Sequence, residues 1–228
     1  MTLDNLTLEI RRSKQRKTLQ LTLERDGRVI VLAPIHTDEH KIQEFVQNKR
    51  FWLYTKLAEK QALRAPASPK RYLQGEGFLY LGHSYRLKLV EQQLEPLKLM
   101  SSRFLLKQSA HSQARWYFIQ WYTEQARHYL KEQVVRYQQR MSIETAWVQV
   151  QDLGYRWGSC SKNNTLYFHW KTILLAPTLI EYIVVHELAH LQEPRHTPAF
   201  WQQVSFVLPD YQSRKIALAQ LGVQIDSL

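Results

Sequence analysis

Alternating hydrophobic and polar positions mark the first part of the chain as β-rich. The stretch LTLEIRRSKQRKTLQLTLERDGRVIVLAP alternates on both sides of a basic run, RRSKQRK, and Asp26-Gly27 is a hairpin turn signal. FLYLGHSYRLKLV and LKLMSSRFLLKQ return to the same alternation. Between these stretches, residues 37–63 space their hydrophobic side chains at helical intervals. Residues 1–108 are therefore predicted to form a β-rich region with one helix.

From residue 109 onward, the pattern predicts helices and strands together. QARWYFIQWYTEQARHYLKEQVVRYQQRM keeps helical spacing for about thirty residues, and its aromatic residues are interpreted as core side chains rather than a stacking surface for bases. TAWVQVQDL, YRWGSCS and TLYFHWKTILL follow as strand candidates, the last two joined by Asn163-Asn164, which tolerates a tight turn. The predicted fold class is α+β, with a β-rich N-terminal half and a second region over residues 109–228.

The segment IVVHELAHLQEPRHTPAFW carries the chemistry of the chain. A capping-box spacing ahead of it predicts a helix that begins at Leu179 and ends before Pro194. His186 and His190 then lie one turn apart on one helical face, where two imidazoles reach a single ion. Glu187 lies about 100° around the helix, where it reaches a water on that ion without ligating the ion. This arrangement is typical of hydrolysis by a metal-activated water.

A catalytic zinc needs three protein ligands and an open fourth position, and His196 is the third candidate. It follows His190 by six residues, beyond the Glu193-Pro194 turn, and directly precedes the pair TP, which is suited to cap and open another helix. The metzincin pattern has the same overall histidine spacing but a glycine at the position of Glu193. The sequence therefore predicts one Zn²⁺ per chain, bound by a motif that is not the metzincin motif.

Composition describes a globular chain with excess positive charge. The sequence is 44% hydrophobic and 22% charged, and its net charge of +11 lies mostly in residues 1–110. Such a surface attracts nucleic acid or acidic partners, although a solvated basic face explains it equally well. The candidate nucleic-acid-binding residues lie in the basic run: Arg11, Arg12, Lys14, Arg16 and Lys17.

The compartment is expected to be the cytoplasm. The first residues, MTLDNLTLEIRRSK, lack the apolar core of a signal peptide, and TILLAPTLIEYIVV is interrupted well short of a membrane span. The single cysteine, Cys160, excludes an intrachain disulfide and fits a reducing environment. No membrane partner is expected.

Several segments of the chain together resemble a known family. RWGSCS, LYFHWKTILLAP, IEYIVVHELAHL, RHTPAFW and LPDY occur in an order similar to that of the YgjP-like metallopeptidases, which are related to the SprT-like zinc proteases. IRRSKQRKTLQL, GEGFLYLGHSYRLKL and ARWYFIQWYTEQARHYL extend the resemblance over nearly the whole chain. The resemblance implies a zincin-like C-terminal half, with His186, His190 and His196 as zinc ligands and Glu187 as catalytic acid/base. His169 stands where the family is expected to have asparagine.

The neighbours of the motif have two interpretations each. The hairpin of YRWGSCS and TLYFHW is expected beside the histidine helix, where an edge strand can receive a peptide by β-augmentation. Arg156, Trp157 and His169 then face the cleft or pack as ordinary strand residues. Tyr182 supports a ligand by a hydrogen bond or simply packs, and Asp210 orients a ligand or caps a helix. No residue is singled out as the oxyanion stabiliser.

The leading hypothesis is a zinc-dependent peptidase in which Glu187 activates a water and returns the proton to the leaving amine. A metal-dependent nucleotide pyrophosphohydrolase, with Arg156 and Lys171 holding phosphates, is an alternative, but three histidines make a poor magnesium site. A nucleic-acid-binding module with a structural metal leaves the glutamate unexplained. A hybrid is a protease recruited to DNA by its basic N-terminal half, because the related SprT-like proteases act on DNA-bound proteins.

Overall fold

The computed structural model is an α+β protein, as predicted, and its contacts separate two units. It describes residues 2–3, 6–23, 28–49, 53, 70–144, 147–154, 156–161 and 163–221. The described residues up to 53 belong to the first unit and those from 70 to 221 to the second. No helix among these residues is long and apolar enough to cross a membrane.

The first unit is a four-stranded sheet with one helix. Its strands are β1 (Thr2–Leu3), β2 (Leu6–Ser13), β3 (Gln20–Leu23) and β4 (Val29–Pro34), in the order β1-β2-β4-β3. Helix α1 (Glu39–Asn48) is capped by the side chain of Asp38, which accepts a hydrogen bond from the His40 backbone N–H. Val31, Ile42 and Val46 are fully buried in the unit's core. The turn signal Asp26-Gly27, and the predicted helix beyond Lys49 except Leu53, lie outside the described residues.

The second unit begins with a sheet that repeats the topology of the first. Its strands are β5 (Gly77–Tyr80), β6 (His83–Val90), β7 (Leu97–Met100) and β8 (Arg103–Lys107), in the order β5-β6-β8-β7. In each sheet the two central strands are parallel, and each outer strand is antiparallel to its neighbour. The chain thus builds the same four-stranded topology twice.

A long helix packs on this second sheet. A 3-10 turn (Gln108–Gln113) leads into α2 (Ala114–Arg140), which buries Phe118, Tyr122, Ala126 and Leu130 at intervals of four. The ring of Phe118 lies 4.1 Å from that of Phe78 in β5 and 5.1 Å from that of Phe104 in β8, centroid to centroid. The sequence pattern changes at residue 109, yet the second sheet shares its core with the residues that follow. The boundary between the two contact-defined units therefore lies before residue 70 rather than at residue 109.

The third sheet has three strands, β9 (Trp147–Gln151), β10 (Gly158–Cys160) and β11 (Thr165–His169), in the order β10-β11-β9. The three strand candidates of the sequence lie here, and β10 and β11 form the predicted antiparallel hairpin. Asn164, in the turn, has a φ of 53°, which asparagine tolerates better than most residues. β10 is an edge strand of this sheet, so one side of its backbone is unpaired within the sheet.

Three helices complete the second unit: α3 (Pro177–Gln192), α4 (Pro198–Val207) and α5 (Tyr211–Leu221). The capping-box prediction for α3 is wrong, because the helix begins at Pro177, whose missing N–H and fixed φ suit the first helical position. Before it, a 3-10 turn (Trp170–Leu174) accepts backbone hydrogen bonds from Leu81 and Gly82. The β5–β6 turn is thereby joined to the segment that starts the histidine helix.

Candidate metal centre

Two elements bring the three histidines of the motif together. His186 and His190 lie on α3, and the chain reverses after Gln192 to place His196 just before α4. The Nε2 atoms of His186 and His196 are 3.1 Å apart, and one ring nitrogen from each histidine lies within 4.8 Å of the others. The predicted cluster is therefore present among the described residues.

Neighbouring groups fix the orientation of these rings. The Nδ1 atom of His190 is 3.2 Å from the backbone carbonyl of Glu193, and its other nitrogen remains available to a ligand. The ring of Phe200 on α4 contacts all three histidine rings, at 4.5–5.0 Å between centroids. Trp201 stacks on His196 at 5.5 Å with an interplanar angle of 19°. The reversal is held by Thr197, whose hydroxyl accepts the Phe200 N–H and caps α4 as predicted.

The donor set fits a transition-metal ion. Zinc–nitrogen bonds of about 2.0–2.1 Å in tetrahedral geometry place ligand nitrogens roughly 3.3 Å apart, and the Nε2 atoms of His186 and His196 are 3.1 Å apart. Burial, the two other histidines and Lys215 lower the pKa of His186 to about 3, which keeps its imidazole neutral and able to donate a lone pair. Burial likewise lowers the pKa of His196. Three neutral imidazoles suit zinc and related metals, but not magnesium.

Glu187 points toward the edge strand of the third sheet. Its side chain is 8% exposed, and a Cβ built on Gly158 of β10 would lie 2.7 Å from its Cγ and Oε1 atoms. Burial raises the pKa of Glu187 to about 7, against the opposing charge of Arg156. The carboxyl group is therefore held between the histidine helix and the strand edge, in an environment that favours binding a proton.

Side chains that the motif did not indicate surround the cluster. The buried ring of Tyr182 lies 5.8 Å from that of His186, and burial, with Tyr211 and Glu187, raises its pKa to about 12. Tyr211 stacks on Trp201 at 5.3 Å, and the Nζ atom of Lys215 lies 4.5 Å from the centroid of the Trp201 ring. Tyr211 and Lys215 were missed because only the fold brings α5 to the motif. Trp201 lies within the motif segment, but its stacking on His196 depends on the chain reversal before α4.

The other candidates from the hairpin occupy different environments. His169 is 2% exposed at the end of β11; its Nε2 atom is 3.2 Å from Asp152, and its Nδ1 accepts the Lys171 N–H. These contacts hold its side chain in the interior. Trp157 packs partly against the core, and its carbonyl accepts the His169 N–H. Arg156 is exposed, with Nη1 3.4 Å from the Ser159 hydroxyl.

Asp210 precedes α5 and takes part in an ion-pair network. It accepts a hydrogen bond from Arg214 Nε at 2.9 Å, and this contact lowers the pKa of Asp210. Arg214 Nη1 also donates to the Thr178 carbonyl at 2.9 Å and to Glu181 at 2.8 Å, so it ties α5 to the start of α3. Cys160, half-buried on β10, has its pKa raised by burial and by Glu187.

The basic run occupies the end of β2 and the turn after it, in the first unit. Arg11 pairs with Glu9 at 2.7 Å, and Arg12 donates to the carbonyl of Thr37 at 2.6 Å. Arg16 donates to the side chain of Gln20 at 2.6 Å. Lys14 and Lys17 lie in the turn between β2 and β3. At least three of the five candidate nucleic-acid-binding residues thus have partners within the unit.

Comparisons with known proteins identify one family and a limited structural likeness. The sequence profile of the YgjP-like metallopeptidase domain matches residues 17–221, which include all three histidines and Glu187. Two similar solved structures are metallopeptidase zymogens, abylysin of Pyrococcus abyssi and jannalysin of Methanocaldococcus jannaschii. They are 21% and 19% identical, with TM-scores of 0.38 and 0.37; each comparison covers 40% of this chain and 94% of the other. No curated protein matches the sequence.

Proposed function

The chain belongs to the YgjP-like metallopeptidase family and is a metal-dependent hydrolase of peptides or proteins; from this premise we propose that it is a zinc peptidase. In the proposal, His186, His190 and His196 hold one zinc ion, and Glu187 is the catalytic acid/base. The observation that carries the proposal is the cluster of three ring nitrogens within 4.8 Å, with a buried carboxyl group next to it in the chain.

The choice of zinc rests on the donor set. Neutral imidazoles suit zinc, copper, nickel and iron, and zinc is the common choice for hydrolysis because it has no redox chemistry. Three protein donors also leave a position open for water and substrate. The hydrogen bond between Nδ1 of His190 and the Glu193 carbonyl favours coordination through the opposite nitrogen of that ring.

Glu187 has the position and environment that an acid/base needs. When bound, the metal lowers the pKa of a coordinated water and polarises the substrate carbonyl. Glu187 takes a proton as water attacks and gives it to the leaving amine, so its carboxyl group alternates between two protonation states. Because Glu187 is only 8% exposed, desolvation disfavours its charged form and makes the protonated state easier to reach. The peptide is proposed to lie along the edge of β10, beside this carboxyl group.

Replacement of Glu187 by Gln tests the role of the carboxyl group. Gln keeps the shape of the side chain but accepts no proton, so hydrolysis of unfolded casein should fall by at least about 100-fold. Zinc content, measured by mass spectrometry of metals, should stay near that of the wild type because Glu187 is not a ligand. Casein cleavage at the wild-type rate by the zinc-loaded variant would overturn the assignment.

The alternatives receive less support. A nucleotide pyrophosphohydrolase of this kind usually relies on magnesium held by oxygen ligands, whereas the cluster offers imidazole nitrogens. Recruitment to DNA would need free cations, whereas Arg11, Arg12 and Arg16 have partners within their own unit. A structural metal would leave the buried Glu187 next to the cluster without a role.

A further inference from the structure

A lysine that belongs to no motif lies beside the histidine cluster. The Nζ atom of Lys215 lies 4.5 Å from the centroid of the Trp201 ring, and Trp201 stacks on His196 at 5.5 Å. The Trp201 ring thus contacts both the ammonium group and a candidate ligand. A cation over the face of tryptophan is attracted by the ring quadrupole and keeps part of its surface away from water.

The helix that carries Lys215 is firmly attached to the histidine helix. Arg214, the preceding residue, contacts Asp210, the Thr178 carbonyl and Glu181, all at 2.8–2.9 Å. Only 15% of the Arg214 side chain is exposed. The hydrogen bonds of Arg214 therefore hold α5 in place, and with it the backbone position of Lys215.

A second cation lies on the strand side of the cluster. Arg156 precedes Gly158, the residue that packs against Glu187, and its guanidinium lies 3.4 Å from the Ser159 hydroxyl. Arg156 lies two residues before the glycine that packs on Glu187, and Lys215 contacts the tryptophan that stacks on His196. Both cations therefore lie next to residues of the site, Arg156 just before β10 and Lys215 on α5.

We infer that the enzyme prefers peptides with an acidic side chain close to the cleaved bond, and that Lys215 binds that carboxylate, with Arg156 as the second cation. This inference rests on the proposed peptidase function and names its substrate class. A carboxylate next to the Lys215 ammonium group gains charge complementarity at a position that the Trp201 ring partly shields from water. A basic side chain there meets two like charges, so the site also selects against it.

Cleavage of a mixed peptide library, read by mass spectrometry, tests the preference. Among the peptides that wild type cleaves, Asp and Glu should be about fivefold more frequent near the cleaved bond than in the library. This is the size of effect expected from a partly exposed ion pair. Lys215→Gln should lose the enrichment, and Lys215→Glu should replace it with enrichment of Lys and Arg. Lys131→Glu, which changes the same charge on α2, should keep the wild-type pattern. No acidic enrichment in wild type, or an unchanged pattern in Lys215→Glu, overturns the inference.

Binding provides a readout that does not depend on turnover. The zinc-loaded Glu187→Gln protein should bind fluorescein-labelled Ala-Ala-Glu-Ala-Ala about fivefold more tightly than the labelled peptide Ala-Ala-Gln-Ala-Ala. The double variant Glu187→Gln, Lys215→Gln should bind the two peptides equally. Equal affinity for the two peptides overturns the inference, whether or not wild type cleaves peptides. Absence of cleavage by zinc-loaded wild type, with the binding preference intact, overturns the proposed function alone. Tighter binding of a single-stranded oligonucleotide than of the Glu peptide would show that the cations serve phosphate and also overturns the inference.

Discussion

The carboxyl group of Glu187 packs directly on the backbone of Gly158, so that a Cβ at this glycine would lie 2.7 Å from Oε1 and 2.9 Å from Cδ. A side chain at position 158 would therefore have to displace the Glu187 carboxyl group from its place between α3 and edge strand β10. The contact sets where the carboxyl group lies relative to the strand that is proposed to receive the substrate.

Gly158→Ala should displace Glu187 and reduce peptide hydrolysis by at least about tenfold, because small displacements of a reacting group have large kinetic effects. Zinc content should stay near that of the wild type, since the three atoms nearest to the new Cβ all belong to Glu187, which is not a proposed ligand. Gly77→Ala is a matched control, because its Cβ would meet the Ser84 hydroxyl, also at 2.7 Å, on a side chain that can rotate away. Equal turnover by wild type and Gly158→Ala would show that the close contact has no catalytic role.

Arg214→Met should loosen α5 from α3 and lower the free energy of unfolding by about 1–3 kcal/mol, because a largely buried contact with Glu181, an exposed one with Asp210 and a carbonyl contact are lost together. The same variant should weaken the preference for acidic peptides, since Lys215 follows Arg214 in the helix. Urea unfolding measures the first effect and library cleavage the second. Arg127→Met is the control: it breaks an exposed pair with Glu124 and should change stability by less than about 0.5 kcal/mol. If the two variants are equally stable, the network does not hold α5.

Stability of the metal-free protein should depend on two opposing titrations. Burial lowers the pKa of His186 from 6.5 to about 3. As the pH falls below 6.5, this histidine takes up a proton in the unfolded state but not in the folded state, so the free energy of unfolding decreases. Burial raises the pKa of Glu187 from 4.5 to about 7, so its contribution is lost as pH rises through 7. Glu187→Gln removes the second effect and leaves the first. Between pH values of about 6.5 and 5, the variant should lose on the order of 1 kcal/mol more stability than wild type.

Urea unfolding after chelation, followed by tryptophan fluorescence at the two pH values, makes this comparison. A double variant, Glu187→Gln with His186→Gln, serves as the control and should show a smaller loss than Glu187→Gln alone. Parallel pH dependence in wild type and Glu187→Gln would contradict the opposing shifts.

Local patterns predicted most of the elements that build the site. Helical spacing placed His186 and His190 on one face, and the pair Thr197-Pro198 indicated the helix that follows His196. These signals are local, because each depends on side chains within one or two turns. The start of α3 was misplaced for the same reason, since a capping-box spacing and a proline at the first helical position both occur within a few residues.

The features that the sequence did not indicate depend on contacts distant in the chain. Gly158 has an ordinary place in a strand pattern, and only the packing of α3 shows why a side chain there would meet Glu187. Lys215 reaches the cluster through Trp201 and the ion pairs of Arg214, which tie α5 to α3. The repeated strand order of the first two sheets also escaped detection, because alternation sets which face is buried but not which strands pair.

The metal content of His196→Ala beside wild type tests the central claim most directly. Both proteins should be purified without added metal, loaded with one equivalent of zinc, desalted and measured by mass spectrometry of metals. The account predicts about one zinc per chain in wild type and a much weaker, largely lost load in the variant, because two histidines remain where a zinc site needs three protein ligands. Equal zinc in the two proteins, or none in wild type, would contradict the three-histidine site.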